Sequence, residues 1–119
     1  MSVSTRATGK TGEDLAASVL VKKGYKIVER NYRYGKGEID IIAKDGEVLV
    51  FVEVKTRKNL EYGPPETAIS KGKQKQVRKI AEAYLFEKEI KDTDCRIDVI
   101  AIQFMPKMRP KINHIKNAF

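Results

Sequence analysis

The chain has 119 residues, 34% of them charged and 41% hydrophobic, a composition that fits one folded domain with a core and excludes a disordered chain. No segment approaches the roughly 18 consecutive apolar residues that cross a bilayer, and the first residues lack the apolar stretch of a signal peptide, so we expect a cytoplasmic protein without a membrane contact. The net charge of +8 indicates a polyanionic partner.

The first part of the chain predicts a helix and a strand. Residues 1–10 are small, polar and basic, and we expect them to be frayed. Thr11 can cap a helix, Glu13 would lie in its first turn, where the helix dipole favours an acid, and Gly24 would end it. Residues 25–33 then read as a strand.

Two strongly apolar runs follow in the segment GEIDIIAKDGEVLVFVEVKTR, residues 37–57. The Asp-Gly pair at 45–46 suits a two-residue type I′ turn, so the segment predicts a β-hairpin. With that pair as the loop, Lys44 would pair with Glu47.

The second half of the chain predicts a loop, a helix and two strands. Prolines and glycine in TRKNLEYGPPE mark a surface loop, and an apolar stripe predicts a helix from about Ser70 to Glu89. CRIDVIAIQF is a strand that starts at Cys95, and the basic loop MPKMRPK separates it from a last strand at Lys111–Ile115. The order of elements predicts an α/β fold, a central mixed β-sheet flanked by helices, in a single domain over residues 1–119.

Cys95 is the only cysteine. It cannot form an internal disulfide, and with a single histidine it cannot form a Cys/His zinc site. We expect it to be a buried or half-buried structural thiol.

Acids interrupt both strands of the predicted hairpin. In the register above, Asp40 lies opposite Phe51, and Glu53 is its diagonal neighbour on the same face, within reach of one shared ion. Lys55 shares this face, because side chains alternate along a strand. The other face would be core, and it reads Ile39, Ile41, Ala43, Val48, Val50, Val52 and Val54.

Two carboxylates held close on rigid strands repel each other unless a cation or a proton intervenes. Mg²⁺ and Mn²⁺ prefer oxygen ligands, so Asp40, Glu53 and the backbone carbonyl of Val54 would form a suitable site. Lys55 could orient or deprotonate an attacking water, or stabilise charge on a scissile phosphate. The alternative is a salt bridge between Lys55 and either acid on a half-solvated face.

At these residues the sequence resembles the PD-(D/E)XK nuclease superfamily, and more closely the YraN family of small bacterial proteins related to archaeal Holliday junction resolvases. The resemblance covers TGEDLAASVLVKKGYKIVERNYR, the hairpin segment, YGPPETAISKGKQKQVRKIAEAYL, RIDVIAI and HIKNAF. Ile39-Asp40 stands where the superfamily has Pro-Asp, whereas Glu53-Val54-Lys55 fits the E-x-K pattern as written.

The resemblance implies a restriction-endonuclease-like fold, with Asp40 and Glu53 as metal ligands and Lys55 as the catalytic lysine. It also implies that Glu13, an acid of the first helix, lies near the metal; read structurally, Glu13 is a first-turn acid that stabilises its helix. The implied activity is hydrolysis of DNA phosphodiesters with Mg²⁺ or Mn²⁺ as cofactor, and branched or junction DNA is one candidate substrate.

Basic side chains around the hairpin could contact DNA phosphates or simply lie on solvated faces. They serve an endonuclease and a non-catalytic nucleic-acid-binding module on a nuclease fold equally well, whereas a purely structural protein would not explain the acids. The chain lacks a domain that selects a substrate, so a homodimer or a partner protein would have to supply selectivity. The candidates for phosphate contact are Arg30, Arg33, Lys36, Arg57, Lys58, Lys71, Lys73 and Lys75.

Overall fold

The middle strands of the chain are apolar on both faces, so the sheet that they form needs cover on both sides. The computed structural model describes the backbone of residues 5–57 and 69–119 and the side chains of residues 11–57 and 69–119. Its elements are, in chain order, α1 (Thr5–Lys22), β1 (Lys26–Tyr34), β2 (Gly37–Asp45), β3 (Val48–Arg57), α2 (Lys71–Glu87), β4 (Cys95–Gln103) and β5 (Lys111–Ile115).

The described strands form one sheet in the order β1-β2-β3-β4-β5. Strands β3 and β4 are parallel, and the other neighbouring pairs are antiparallel. Helix α2 lies in the crossover that a parallel pair requires. The prediction of a mixed sheet flanked by helices is therefore confirmed.

The two helices pack on opposite faces of this sheet. The core under α1 consists of Ala16, Leu20, Tyr25, Ile41, Ala43, Val50, Val52, Ile100 and Ile102. The core under α2 consists of Tyr32, Ile39, Ile42, Leu49, Phe51, Val77, Ile80, Ala81 and Tyr84. Full burial of a large apolar side chain contributes about 1.5–3 kcal/mol, so β2 and β3, which supply both cores, are the centre of the fold.

Helix α2 lies close to its predicted bounds, and α1 does not. The Ser70 side chain caps α2 by accepting a hydrogen bond from the Lys73 N–H at 3.1 Å. Helix α1 begins at Thr5 rather than at Thr11. Glu13 is consequently well inside the helix, and the prediction that it is a first-turn acid was wrong.

Two glycines let the helices approach the sheet closely. A Cβ atom at Gly12 of α1 would collide with Cγ2 of Thr56 on β3. A Cβ atom at Gly37 of β2 would lie 2.6 Å from Cδ1 of Ile80 and 2.8 Å from Nε2 of Gln76, both on α2. These contacts hold both helices against the end of the sheet where β2 begins and β3 ends.

The hairpin turn lies one residue further along the chain than predicted. Asp45 pairs with Val48, so the loop is Gly46-Glu47, and Glu47 cannot pair with Lys44 as expected. Gly46 has a φ of +61° at the first loop position. Glu47, at the second position, does not have a positive φ. Positive φ at the first loop residue alone is the pattern of a type II′ turn, whereas type I′ needs it at both.

The corrected register changes the strand partners but keeps the parity of the pairing between β2 and β3. Phe51 pairs with Ile42 and not, as predicted, with Asp40. The ladder ends at the pair of Ile41 with Val52, and beyond it the Asp40 side chain accepts a hydrogen bond from the Val54 N–H. Because the partner of Phe51 moves by two residues, an even number, the faces are not exchanged.

The regular alternation of β2 is broken near Asp40. Ile39 packs in the core under α2 with Ile42, although the sequence placed it on the face of Ile41. Asn31, which faces this point from β1, has a φ of +54°, in the left-handed region. The irregular backbone explains why the predicted position of Ile39 was wrong.

Three smaller predictions have different outcomes. Cys95 is exposed, not buried or half-buried, because β5 pairs only with the later part of β4, from Val99 onwards, and leaves the start of β4 open. No described helix is long and apolar enough to cross a membrane. Most of the predicted TRKNLEYGPPE loop, with Lys58, falls in residues 58–68 and lies outside the described residues.

Candidate functional site

Asp40 lies on β2 beside the end of β3. Its Oδ2 accepts a hydrogen bond from the Val54 N–H at 2.8 Å, which ties the carboxylate to the neighbouring strand. Burial raises the pKa of Asp40 to about 7, and the charge of Glu53 adds to the rise, while the Val54 N–H opposes it. The two acids are thus close enough to interact strongly, and Asp40 retains a proton near neutral pH unless a cation compensates its charge.

Glu53, on β3, is the more deeply buried of the two acids, with a side chain that is 8% exposed. Its Oε1 lies 3.5 Å from Nζ of Lys73 on α2. Its Oε2 is buried and has no hydrogen-bond partner among the described residues. Burial raises the pKa of Glu53, and the ammonium groups of Lys73 and Lys55 partly offset this. An unpartnered buried carboxylate oxygen is costly, so a bound cation or donor would stabilise it.

Lys55 follows Glu53 by two residues on β3 and faces the same side of the sheet. It is half-buried, and its charge is near enough to lower the pKa of Glu53. Val54 contributes its N–H, which is bonded to Asp40; the use of its carbonyl as a metal ligand stays a prediction. The structure therefore brings together the three predicted catalytic side chains at one end of the sheet, beside the start of α2.

The donor set of this site fits a hard divalent cation. Two carboxylates converge, and one of them has a buried oxygen without a partner. Within residues 11–57 and 69–119, no group of three or more His, Cys, Asp or Glu side chains is arranged to hold a metal ion. Backbone carbonyls and water would therefore complete the coordination, as is common for Mg²⁺, which keeps several waters.

Glu13, on α1, lies at the edge of this site. Its Oε1 accepts a hydrogen bond from the side-chain amide of Asn31 and lies 3.7 Å from Nη2 of Arg30. Burial raises the pKa of Glu13, and Arg30 opposes the rise. Glu13 also raises the pKa of Asp40, which places it within electrostatic reach of the acid pair. Its predicted contact with a metal stays a prediction.

Two of the predicted phosphate-binding residues already have acidic partners within the chain. Arg30 lies 2.6 Å from a carboxylate oxygen of Asp14. Arg33 lies 3.2 Å from Glu38. Both ion pairs are partly solvent-exposed, so they cost little to break and leave these arginines able to exchange an acid for a phosphate.

The other described candidates lie around the acid pair. Lys36, in the β1–β2 turn, and Lys71 and Lys75, in the first turns of α2, are exposed. Arg57 is half-buried at the end of β3. Lys73 differs from its neighbours, because its ammonium faces Glu53 rather than open solvent.

Asp98, on β4, is a fully buried acid that the sequence analysis missed. Its Oδ1 accepts hydrogen bonds from Nε of Arg96 at 2.8 Å and the Asn117 N–H at 3.0 Å, and its Oδ2 lies 2.7 Å from Nε2 of His114. Burial would raise the pKa of Asp98, but the hydrogen bonds hold it below its usual value. An acid inside the apolar run RIDVIAI was the available signal, the same signal that pointed to Asp40.

The sheet and its two helices form an α/β fold that is restriction-endonuclease-like. Its backbone is similar to that of Archaeoglobus fulgidus Hjc, a Holliday junction resolvase from an archaeal hyperthermophile, with a TM-score of 0.54. The similarity covers 88% of this chain and 75% of the resolvase chain at 21% sequence identity.

Residues 12–102 match the uncharacterised protein family UPF0102, the YraN family, and the chain belongs to that family. A UPF0102 protein of Geobacter sulfurreducens is 50% identical over 111 residues, which cover 93% of this chain and 87% of the relative. A UPF0102 protein of Dictyoglomus turgidum is 43% identical over 105 residues, covering 88% and 89%. The resemblance found in the sequence is therefore confirmed.

Proposed function

We propose that this protein is a divalent-cation-dependent endonuclease that hydrolyses DNA phosphodiesters, with branched DNA as its substrate. The observation that carries the proposal is the pairing of Asp40 with Glu53, two acids whose pKa values are raised by burial, one of them with an unpartnered buried oxygen. Such an arrangement lowers the stability of the free protein. Proteins keep unfavourable local arrangements chiefly where a ligand or a reaction uses them.

The side chains have distinct roles in this proposal. Asp40 and Glu53 would hold the cation, with the carbonyl of Val54 as a further ligand. A bound Mg²⁺ or Mn²⁺ supplies a Lewis acid that polarises a phosphoryl oxygen and lowers the pKa of water. The Lys55 ammonium would stabilise negative charge on the scissile phosphate or orient the attacking water. Glu13 would add negative charge beside the pair and so strengthen its attraction for a cation.

Charge supports DNA as the partner. The chain carries a net charge of +8, and the exposed Lys36, Lys71 and Lys75 lie near the acid pair, where they would contact backbone phosphates. The resolvase-like fold supports branched DNA among the possible forms. Since residues 11–57 and 69–119 offer one such acid pair, a homodimer would supply the second site that cutting two strands of a junction requires.

A second function, nucleic-acid binding without cleavage, is favoured by one observation. The ammonium of Lys73 lies 3.5 Å from Glu53 and compensates part of its charge without any metal. A site that Lys73 neutralises permanently would bind phosphates and cut nothing.

Incubation with linear, nicked, flapped and four-way DNA separates the two functions. The endonuclease proposal predicts cleavage in Mg²⁺ or Mn²⁺, strongest on a branched form and absent when a chelator is added. The result that contradicts it is a protein that is visibly bound to these substrates and leaves them intact in either metal.

A further inference from the structure

Two buried hydrogen-bond donors without partners lie at the carboxyl ends of β3 and β4. They are Nε of Arg57 and Nε2 of Gln103, and neither has a hydrogen-bond partner among the described residues. Gln103 is 5% exposed. Buried side-chain donors are nearly always paired in native proteins, so two unpaired donors at one position are unusual.

The two residues are direct neighbours across the parallel strands. Arg57 and Gln103 are register partners, and neighbouring strands lie about 4.8 Å apart. Partners in a ladder project from the same face of the sheet. That face is the one that carries Glu53 and Lys55, because residues two apart on β3 share a side. The donor pair therefore continues the row of site residues along β3.

The backbone at this point is well held. The Phe104 N–H donates a hydrogen bond to the Arg57 carbonyl at 2.7 Å, immediately beyond the last pair of the ladder. Two pairs back, on the same face of the sheet, Lys55 pairs with Ala101, whose side chain is small and carries no polar group. The unpaired donors thus lie on paired strands, in the same row as the site residues of β3.

The chemistry of the pair selects its ligand. Guanidinium and amide N–H groups both donate, so the ligand must accept two hydrogen bonds, and the arginine favours a negative charge. A phosphate of a nucleic acid backbone meets both requirements. Arg57 lies two positions after Lys55 on β3, a rise of about 6.6 Å. This distance is comparable with one step along a nucleic acid strand.

We propose that Arg57 and Gln103 form a phosphate subsite that binds the backbone phosphate adjacent to the scissile one. The assignment rests on the proposed nuclease function for the nature of the substrate. The uncharged Gln103 thereby joins the residues proposed to bind DNA. Arg57 would bind one particular phosphate rather than contribute only to the overall positive charge.

The subsite predicts opposite effects on binding and on stability. Gln103→Leu removes an unpaired buried donor, so it should leave the melting temperature of the free protein unchanged or higher, while it weakens DNA binding about tenfold. A structural role for Gln103 predicts the reverse, a lower melting temperature and unchanged binding. Arg57→Gln should weaken binding by at least as much, because it also removes the charge.

The test uses fluorescence anisotropy with a branched DNA in a chelator, so that cleavage plays no part. Gln103→Leu, Arg57→Gln and the double variant are compared with wild type and with Arg78→Gln, which removes one positive charge near the opposite end of the sheet. The subsite predicts that the double variant loses less than the product of the two single losses, because both residues bind one phosphate. Nitrogen-15 NMR should show shifts of the Arg57 Nε–H and Gln103 amide signals on addition of DNA.

Three results overturn the proposal. One is Gln103→Leu and Arg57→Gln variants that bind as tightly as Arg78→Gln. Another is side-chain signals that do not shift while DNA binds elsewhere. The third is a wild-type protein that binds no DNA, which also ends the proposed function. Binding that depends on both residues without any cleavage in metal would instead leave the subsite standing and remove the endonuclease alone.

Discussion

Two buried acidic sites on neighbouring strands of this sheet have opposite environments. Asp98, on β4, is fully buried, accepts hydrogen bonds from Arg96, His114 and the backbone, and has a lowered pKa. Asp40 and Glu53, on β2 and β3, have raised pKa values, and one oxygen of Glu53 has no described partner.

The difference separates an acid whose charge the protein compensates from two acids whose charge it compensates only in part. Each oxygen of Asp98 has donors from the protein, so its charge is compensated when the chain folds. The Asp40–Glu53 pair is compensated only in part, by the Val54 N–H and by Lys73. In the proposed function, incomplete compensation of the charge, rather than burial, is what marks the acids that bind a cation.

The largest expected effect is on catalysis. Asp40→Asn, Glu53→Gln and Lys55→Ala should each reduce metal-dependent cleavage of branched DNA by at least about 100-fold, because each removes a group that stabilises charge at the reacting phosphate. Glu47→Gln, in the hairpin turn, is the matched control and should cleave like wild type. Equal trace cleavage in all variants and wild type would assign the activity to a contaminant.

The next effect is on stability, at Asp98. Asp98→Asn should lower the free energy of unfolding by about 1–3 kcal/mol, because it removes the buried charge partner of Arg96, which then keeps only the partly exposed Asp45. Glu53→Gln, measured by the same urea titration in a chelator, should not lower it. An equal loss of the free energy of unfolding in Glu53→Gln and Asp98→Asn would contradict the proposed difference between the two acidic sites.

The contributions of Asp40 and Asp98 to stability should change with pH in opposite directions. Since the folded-state pKa of Asp40 is raised to about 7, the unfolded chain releases this proton at lower pH, and the contribution of Asp40 to stability falls between about pH 4 and pH 7. Asp40→Asn should therefore stabilise the metal-free protein above pH 7, on the order of 2 kcal/mol. Asp98, with a lowered pKa, contributes stability above its unfolded-state pKa and loses it as the pH falls through the folded value. Melting temperatures of wild type and Asp40→Asn that stay parallel from pH 4 to pH 8 would contradict this account of Asp40.

The smallest effect concerns Lys73. Its ammonium repels a cation at Glu53, so Lys73→Met should raise the affinity for Mn²⁺ a few-fold. The same change should lower the stability of the metal-free protein by less than about 1 kcal/mol, because the lysine side chain is 34% exposed. Paramagnetic resonance of free Mn²⁺ measures the affinity, and a weaker affinity in the variant would show that Lys73 does not compete with the ion.

The features that depend on a local sequence pattern could be predicted from the sequence. The α2 helix followed from its apolar stripe, and the two acids were placed on one face because side chains alternate along a strand. The position of the hairpin turn was predicted wrongly, because both Asp45-Gly46 and Gly46-Glu47 are acceptable two-residue loops.

Features that depend on distant contacts were not visible in the sequence. The position of Ile39 follows from the left-handed backbone of Asn31 on the next strand. Asp98 and Asp40 give the same signal in the sequence, an acid in an apolar strand. The donors of Asp98 distinguish them: Arg96, the Asn117 N–H and His114, which the pairing of β4 with β5 brings beside it. The donor pair of Arg57 and Gln103 likewise exists only through the β3–β4 register.

Calorimetric titration of Mn²⁺ into the metal-free protein tests most directly whether incomplete compensation marks a cation site. The account predicts that one ion binds each wild-type chain, and that Asp40→Asn and Glu53→Gln abolish this binding while both variants remain folded. Asp98→Asn, assayed at a temperature where it is folded, should bind the ion as wild type does. Undiminished Mn²⁺ binding by Asp40→Asn and Glu53→Gln would contradict the account, because the ion would then be held by other groups.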